Sequence, residues 1–276
     1  MSKPQIALLF FALLLILGMY QLPKVVLEDD QQNLKSQQDA PPQGDKMPQN
    51  HSLSLPPLQQ ALLDTLKKNL AASENLEKKI TFADSIAKLY QKLNVFDSAS
   101  NYYIQIAELA PSIDHWKQAG NAAYSAFEFY AVVDAAKSAN FKEKAQSFYQ
   151  KILDQQPEDL DTQARMAMTQ LSSQNPMQGI LKLREIAEKD PKNEFVLLNL
   201  GLLSMQTKQY DKAKSRFEQL LSVNPNNNQA KILLSQCLVE LKMKEKAIAL
   251  LQEIVQTEND SVLRSSAEEY LKTLKK

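Results

Sequence analysis

The chain has 276 residues, 32 Lys and Arg against 32 Asp and Glu, 44% hydrophobic residues and a single cysteine. Balanced charge argues against a partner such as nucleic acid, which needs a strongly basic face, and one cysteine excludes an intrachain disulfide framework. Five glycines beside many Ala, Leu, Lys, Gln and Glu favour helix throughout, so the expected class is all-α, with one sizeable domain and a tail.

The N-terminus is apolar from Ile6 to Met19, IALLFFALLLILGM, with Lys3 ahead of it and Tyr20 at an interfacial position. Extended to Leu22, the run is about 17 residues, or roughly 25 Å of helix, near the lower limit for crossing a bilayer. A cleaved signal peptide and an uncleaved anchor both fit so short a core. No Ala-x-Ala follows it, and the anchor is favoured; no Cys follows it either, which excludes a lipid-anchored lipoprotein. Residues 1–24 are therefore expected to form a signal-anchor transmembrane helix that crosses an inner (cell) membrane once through residues 6–22. Lys3 and the amine on one side nearly balance Lys24 and Lys35 on the other. The N-terminus is expected inside, since a short tail and a single apolar run behave like an export signal. The rest of the chain would then face the periplasm or another extracytoplasmic space.

Residues 25–57 turn polar, rich in Gln, Asp and Pro with little to bury, and read as a disordered tether. Residues 58–79 are expected to be a capping helix, with Leu58, Leu62, Leu63, Leu66 and Leu70 on one face.

From residue 80 the chain reads as paired amphipathic helices. The clearest pair is Glu194 to Pro225. Leu197, Leu200, Gly201 and Leu203 fall at helical spacing in its first half, and Ala213, Phe217, Leu220 and Leu221 in its second. The apolar pattern breaks at Gln206–Gln209, and Asn224-Pro225 ends the second helix. Gly201 and Ala213 sit where two helices must cross closely; Tyr210 and Phe217 are plugs for the seam with the next pair. Pro157, Pro191 and Pro225 are each 34 residues apart. This spacing resembles the tetratricopeptide repeat, a helix–turn–helix unit of that period. The family's large fourth residue, Leu-Gly at seven and eight, Ala at twenty, large residue at twenty-four and Pro at thirty-two correspond to Leu197, Leu200-Gly201, Ala213, Phe217 and Pro225. The eleventh place holds Ser204 where the family usually has Tyr.

The resemblance implies a right-handed α-solenoid of five repeats over residues 80–261, namely 80–113, 114–159, 160–193, 194–227 and 228–261, closed by a capping helix over 262–276. In the first, Ile86-Ala87, Tyr90, Ala99, Tyr103 and Pro111 fit, with a turn at Asn94–Asp97. In the second, Trp116-x-x-Ala119-Gly120 restarts the motif, but Pro157 comes 46 residues after Pro111, 12 more than one period. The extra sequence lacks Pro and Gly and predicts longer helices in a protruding hairpin. Phe127, Phe129 and Tyr130 near its tip either pack on the neighbouring pair or form an exposed aromatic knob for a partner. Arg264, Glu268, Lys272, Lys275 and Lys276 give the last helix the polar outer face an array needs.

In this family the first helix of each pair lines a concave surface, which implies a groove formed by Lys117, Asn121, Arg165, Met168, Asn199, Leu202, Met205, Ile232, Gln236 and Val239. Lys117, Asn121, Arg165 and Asn199 are similar to the clamp with which some chaperone-binding members hold a peptide's C-terminal carboxylate. Here, however, Arg and Asn stand in swapped repeats and the second Lys is absent. The same residues also fit a solvated face, or a surface that binds an extended segment by amide hydrogen bonds.

Nothing in the sequence supports catalysis or a cofactor. His51 and His115 lack His or Cys partners at metal-ligand spacing, and neither a Gly-rich phosphate loop nor Gly-x-Ser-x-Gly is present. Cys237, on an apolar helical register, reads as a core residue. The expected function is a membrane-tethered scaffold that binds another protein or an extended peptide, similar to bacterial membrane-anchored tetratricopeptide proteins of envelope assembly. Alternatives are a structural homo-oligomer, and an accessory factor that holds apoprotein in cytochrome c maturation.

Overall fold

A computed structural model describes residues 56–172 and 176–275. The apolar run at 6–22 and nearly all of the tether lie outside the described residues. Among those described, no helix is long and apolar enough to cross a membrane.

The described chain forms twelve helices and no strand. They are α1 (Pro57–Ala72), α2 (Leu76–Lys92), α3 (Phe96–Leu109), α4 (Ile113–Tyr130), α5 (Ala135–Gln155), α6 (Leu160–Gln170), α7 (Pro176–Lys189), α8 (Glu194–Gln206), α9 (Tyr210–Val223), α10 (Asn228–Glu240), α11 (Lys244–Thr257) and α12 (Ser261–Leu274). From α2 onward each helix packs on its sequence neighbour, which gives five pairs, α2–α3 to α10–α11, followed by α12.

The second helix of each pair carries a large buried residue, and in two pairs a glycine of the first helix lies directly against it. The large residues are Tyr103, Tyr149, Leu183, Phe217 and Leu251, all buried. At Gly201 and Gly120 the first helix meets a ring directly. A Cβ on Gly201 would overlap the Phe217 ring, and one on Gly120 would lie 2.8 Å from the Tyr149 ring. Gly179 meets the backbone of α6 in the same way, with Ala167 O 2.5 Å from where its Cβ would be. The second helices present Ala99, Ala145, Ala213 and Ala247 to the crossing, all fully buried.

Within a pair the first helix ends in a recurrent turn. Asn94, Lys208 and Lys242 have φ of 57°, 57° and 63°. The next residue reaches back to close the helix: Val95 N to Tyr90 O at 2.9 Å, Gln209 N to Ser204 O at 2.8 Å and Met243 N to Leu238 O at 2.8 Å. This is the Schellman closure, with its left-handed residue beyond the cap. The turn expected at Asn94–Asp97 is thus shorter, since Phe96 and Asp97 already belong to α3. Between pairs a different joint repeats: a proline, one residue, then an Asx N-cap. Asp159, Asn193 and Asn227 accept from the opening N–H groups of α6, α8 and α10.

The capping helix expected over 58–79 is shorter. α1 ends at Ala72, and Asn75 accepts from Lys78 N to open α2, so residues 76–79 belong to the first pair. The Ser73-Glu74-Asn75 stretch supplies the break, with Ser73 Oγ donating to Asn75 O at 3.3 Å. Leu63 is buried and Leu70 packs on the core of α2–α4, while Leu58 and Leu62 are exposed.

The additional residues of the second pair lengthen both of its helices, α4 to 18 residues and α5 to 21. Most of the aromatic side chains near its tip pack on neighbours, although Phe129 remains 44% exposed. Phe127 is buried, Tyr130 stacks on Phe141 at 5.9 Å, and Phe129 lies 5.3 Å from Phe96 of the preceding pair. Lys137 lies over the Tyr130 ring and 3.9 Å from Asp97. Cys237 is fully buried, and burial pushes its thiol up to about 12.

Two stability measurements test this packing. Gly201→Ala should cost about 1–2 kcal/mol through overpacking, and the cost should shrink in a Phe217→Leu background; equal costs in both backgrounds would rule out the glycine–ring contact as the cause. Lys208→Gly should raise the urea midpoint, a gain of up to about 1 kcal/mol from relief of the left-handed backbone. A lower midpoint would contradict that reading of the turn.

Candidate functional site

The inner face is built by α4, α6 and α8, the first helices of three successive pairs. Tyr124 of α4 meets Phe195 of α8 edge-on, ring centroids 6.4 Å apart, and so reaches past the intervening α6. Arg165 of α6 stacks its guanidinium 4.3 Å from the Phe195 ring centroid. Three inner faces therefore converge on one aromatic ring at the start of α8.

The charged groups around that ring are mostly paired. Arg165 Nε donates to Asp161 Oδ2 at 3.1 Å, one helical turn earlier. Lys117 Nζ stands 3.5 Å from both Asp159 Oδ2 and Asp161 Oδ2. Asp159 is also the N-cap of α6: its Oδ1 accepts from Asp161 N at 3.1 Å and Thr162 N at 3.2 Å, and its Oδ2 from Thr162 Oγ1 at 2.9 Å. Partial burial alone would raise the Asp159 carboxyl, but the bonds from Thr162 and the charge of Lys117 outweigh it and hold the group below its usual range. Glu128 on α4 accepts from Tyr124 Oη at 2.8 Å. Glu128 is exposed, yet crowding by protein raises its carboxyl, and Tyr124 and Arg165 offset this only in part. Tyr149 is fully buried and donates to Asn121 Oδ1 at 3.1 Å; burial drives its phenol far above the ordinary value.

These contacts place the expected groove residues individually. Lys117, Asn121, Arg165, Leu202, Ile232, Gln236 and Val239 are all partly exposed. Met168 is half-buried and packs on the cores of both the α4–α5 and the α6–α8 regions, so it belongs to a seam. Met205 is only 5% exposed and does not line an open surface. The cause lies in α8, EFVLLNLGLLSMQ, which is apolar around its circumference and is covered at its last turn. Asn199 is 7% exposed and donates from Nδ2 to Phe195 O at 2.7 Å.

A carboxylate clamp does not follow from this geometry. Its two cations already face Asp159 and Asp161, and the Asn121 and Asn199 amides each have one group engaged within the array. The sequence reading passed over Asp159, Asp161, Tyr124, Glu128, Tyr149 and Phe195. Asp161 four residues before Arg165 was a legible signal, as was an Asx residue two places after each of Pro157, Pro191 and Pro225. The Lys117–Asp159 and Tyr124–Phe195 contacts join distant positions and leave no local signature. Among the described residues, no group of three or more His, Cys, Asp or Glu is placed to hold a metal ion. His115 has a structural role, with its ring Nδ1 2.5 Å from Ala110 O at the end of α3.

Asp159→Ala should cost about 1–2 kcal/mol at neutral pH, through the lost cap and the lost pairing. The native carboxyl is depressed, so its contribution is present above the unfolded carboxylate pKa and is lost as pH falls through the native one. The stability gap between wild type and variant, followed by urea titration, should therefore narrow in acid; a constant gap from pH 7 to pH 3 would rule out the charge contribution.

Residues 204–268 match the family model described as Tetratricopeptide repeat. No curated protein sequence matches the chain. Among solved structures, a thermophilic TPR protein of Thermus thermophilus is similar at 13% identity and TM-score 0.53, covering 70% of this chain and 98% of its own. A tetratricopeptide repeat protein of Parabacteroides merdae aligns at 15% identity and TM-score 0.48, over 78% of this chain and 82% of its own. YrrB, a TPR protein with an unusual peptide-binding site, aligns at 17% identity and TM-score 0.39, over 76% and 99%. Of these three, the Thermus thermophilus likeness is close enough to bear on the fold, and it agrees with the paired helices. The glycine-on-ring crossings, the 34-residue joints, the family match over residues 204–268 and that shared fold support reading the helical pairs as tetratricopeptide repeats.

Proposed function

We propose that the protein is a non-enzymatic, membrane-tethered scaffold that holds another protein or an extended peptide along the inner face of its helical pairs, in envelope assembly. The observation that carries the binding reading is the convergence of α4, α6 and α8 on Phe195. That convergence makes a partly exposed surface where aromatic faces and polar groups lie side by side. Such a surface can orient a segment by hydrogen bonds and cover its apolar side chains. Farther along, Leu202, Ile232 and Val239 offer apolar contact, with Gln236 as an amide between them. Tethering is supported by the apolar run at 6–22, and the following polar stretch provides reach. An extracytoplasmic location of the repeats is part of the same proposal.

Site-specific photo-cross-linking in cells tests the reading. Photoreactive residues at Leu202 and Gln236 should capture a defined partner, while Arg184 and Glu218 on the second helices α7 and α9 should not. Capture confined to α7 and α9 would refute the inner-face reading. Removal of residues 2–24 should release the protein from the membrane fraction, and unchanged membrane association would refute the tether.

A further inference from the structure

We propose that the apex of the long second pair rests in a bilayer surface: Phe129, Val132 and Val133 enter the interfacial layer of the membrane to which residues 6–22 tether the chain, and hold the helical array edge-on to it. This rests on the membrane-tether reading and adds a second point of contact with the same bilayer.

The apex is unusual for a turn. Surface turns favour Gly, Asn, Asp and Ser, and the corresponding turns of the fourth and fifth pairs carry Lys208 and Lys242 at their left-handed positions. Between α4 and α5 the sequence is instead Phe129-Tyr130-Ala131-Val132-Val133. Val133 is 68% exposed, Phe129 44% and Val132 40%. The turn itself is well bonded. Ala131 N donates to Phe127 O at 3.0 Å, Asp134 N donates to Tyr130 O at 2.9 Å, and the Asp134 side chain accepts from Lys137 N to open α5. Phe96 braces Phe129 at the base. The apex also stands out along the helix axis. α4 continues ten residues past Gly120, whereas α8 ends five residues past Gly201 and α2 five past Ala87. The difference is about 7 Å of helix.

The second observation is where the chain enters the array. Ala72, the end of α1, is four residues from the start of α2 at Leu76. Lys67, in contrast, lies 5.5 Å from the ring centroid of Tyr90, near the other end of α2. Followed backwards from Ala72, α1 therefore heads for the turn that ends α2. Phe96, the first residue of α3 beyond that turn, is the residue Phe129 touches. The chain leading back to the apolar run at 6–22 thus departs from the edge of the array that carries the exposed apex. Three side chains bind a bilayer weakly by themselves. A tether makes the contact intramolecular, at a high effective concentration set by its length. The charges nearby do not call for anionic lipid. Lys137 lies over Tyr130 and beside Asp97, and Glu128 and Asp134 are acidic, so no basic cluster marks the apex. A second copy of the chain is a poorer occupant, because three side chains on a convex turn fall far short of the roughly 1,200 Å² that a stable interface buries.

The test uses the full chain in phosphatidylcholine nanodiscs, with Cys237→Ala and a fluorophore on one new cysteine. The cysteine is Ala136→Cys, in the first turn of α5, or Glu158→Cys, at the opposite edge; both positions are exposed. Lipids with a nitroxide near the headgroup should quench the label at Ala136 about twofold more than at Glu158, as shallow insertion requires. The quenching should need no anionic lipid and should resist added salt. Val132→Asp with Val133→Asp should bring quenching at Ala136 down to the Glu158 level and leave the urea midpoint unchanged, since both side chains are exposed. Equal quenching at the two sites, quenching that needs anionic lipid, or quenching that survives the Asp replacements would each overturn the proposal. Energy transfer between labelled copies without lipid quenching would assign the apex to a second copy instead. Discs that retain the protein but leave Ala136 unquenched refute the apex contact alone. Failure of the protein to enter discs refutes the tether reading, and the apex contact with it.

Discussion

The array depends on how closely two helices can approach within a pair. Where Gly201 lies beneath Phe217 and Gly120 beneath Tyr149, the backbone of the first helix meets the ring directly. This close approach goes with the complete burial of the Tyr149 and Phe217 side chains. Dispersion contacts made by a buried ring are individually small and collectively large, and they weaken by about a quarter to a half if the surfaces separate by up to about an ångström. The two kinds of joint then fix the remaining freedom. A left-handed residue closes the first helix of three of the pairs, and a proline followed by an Asx cap opens three of the later pairs. Side-chain bonds across the joints add to this, as when Gln219 Nε2 donates to Pro191 O at 2.9 Å and Asn224 Nδ2 donates to Glu194 Oε2 at 2.9 Å.

Much of this was legible in the sequence, because it is periodic and local. The period of the prolines, the alternation of small and large residues and the long second pair can be read directly. Helix boundaries were less legible. The Ser73-Glu74-Asn75 break looks like ordinary helix sequence until Asn75 is seen to cap α2. The inner face was legible only in outline. The helical register places Lys117, Asn121 and Arg165 on the first helices, but it does not say which charges meet. Asp159 is a helix cap by sequence and the counter-ion of Lys117 only in the folded chain. Met205 shows the converse. Its place in the repeat suggests an open surface, whereas the apolar surroundings of α8 cover it.

The inner face also shows why a binding surface cannot be read from its cations alone. Surface ion pairs contribute little to stability, about 0–1 kcal/mol each, but they change what a surface offers to a ligand. Lys117 and Arg165 would attract anions if isolated. Set against Asp159 and Asp161, Lys117 serves as a strut between α4 and α6, while Arg165, paired with Asp161 along α6, becomes a flat lid on Phe195.

The long second pair has a consequence for how the chain finds its fold. An array of near-identical units invites error, because any first helix could in principle be clasped by the wrong second helix, one period out of step or in another molecule. Unequal lengths remove that degeneracy here. The 18 and 21 residues of α4 and α5 match each other and exceed the 11 to 14 of α6 through α11, so a slipped pairing would leave turns of apolar helix uncovered. The edge contact from Tyr124 to Phe195 adds a check two pairs away. The extra residues thus act as an index mark, giving an otherwise repetitive chain a single alignment to recognise as its own.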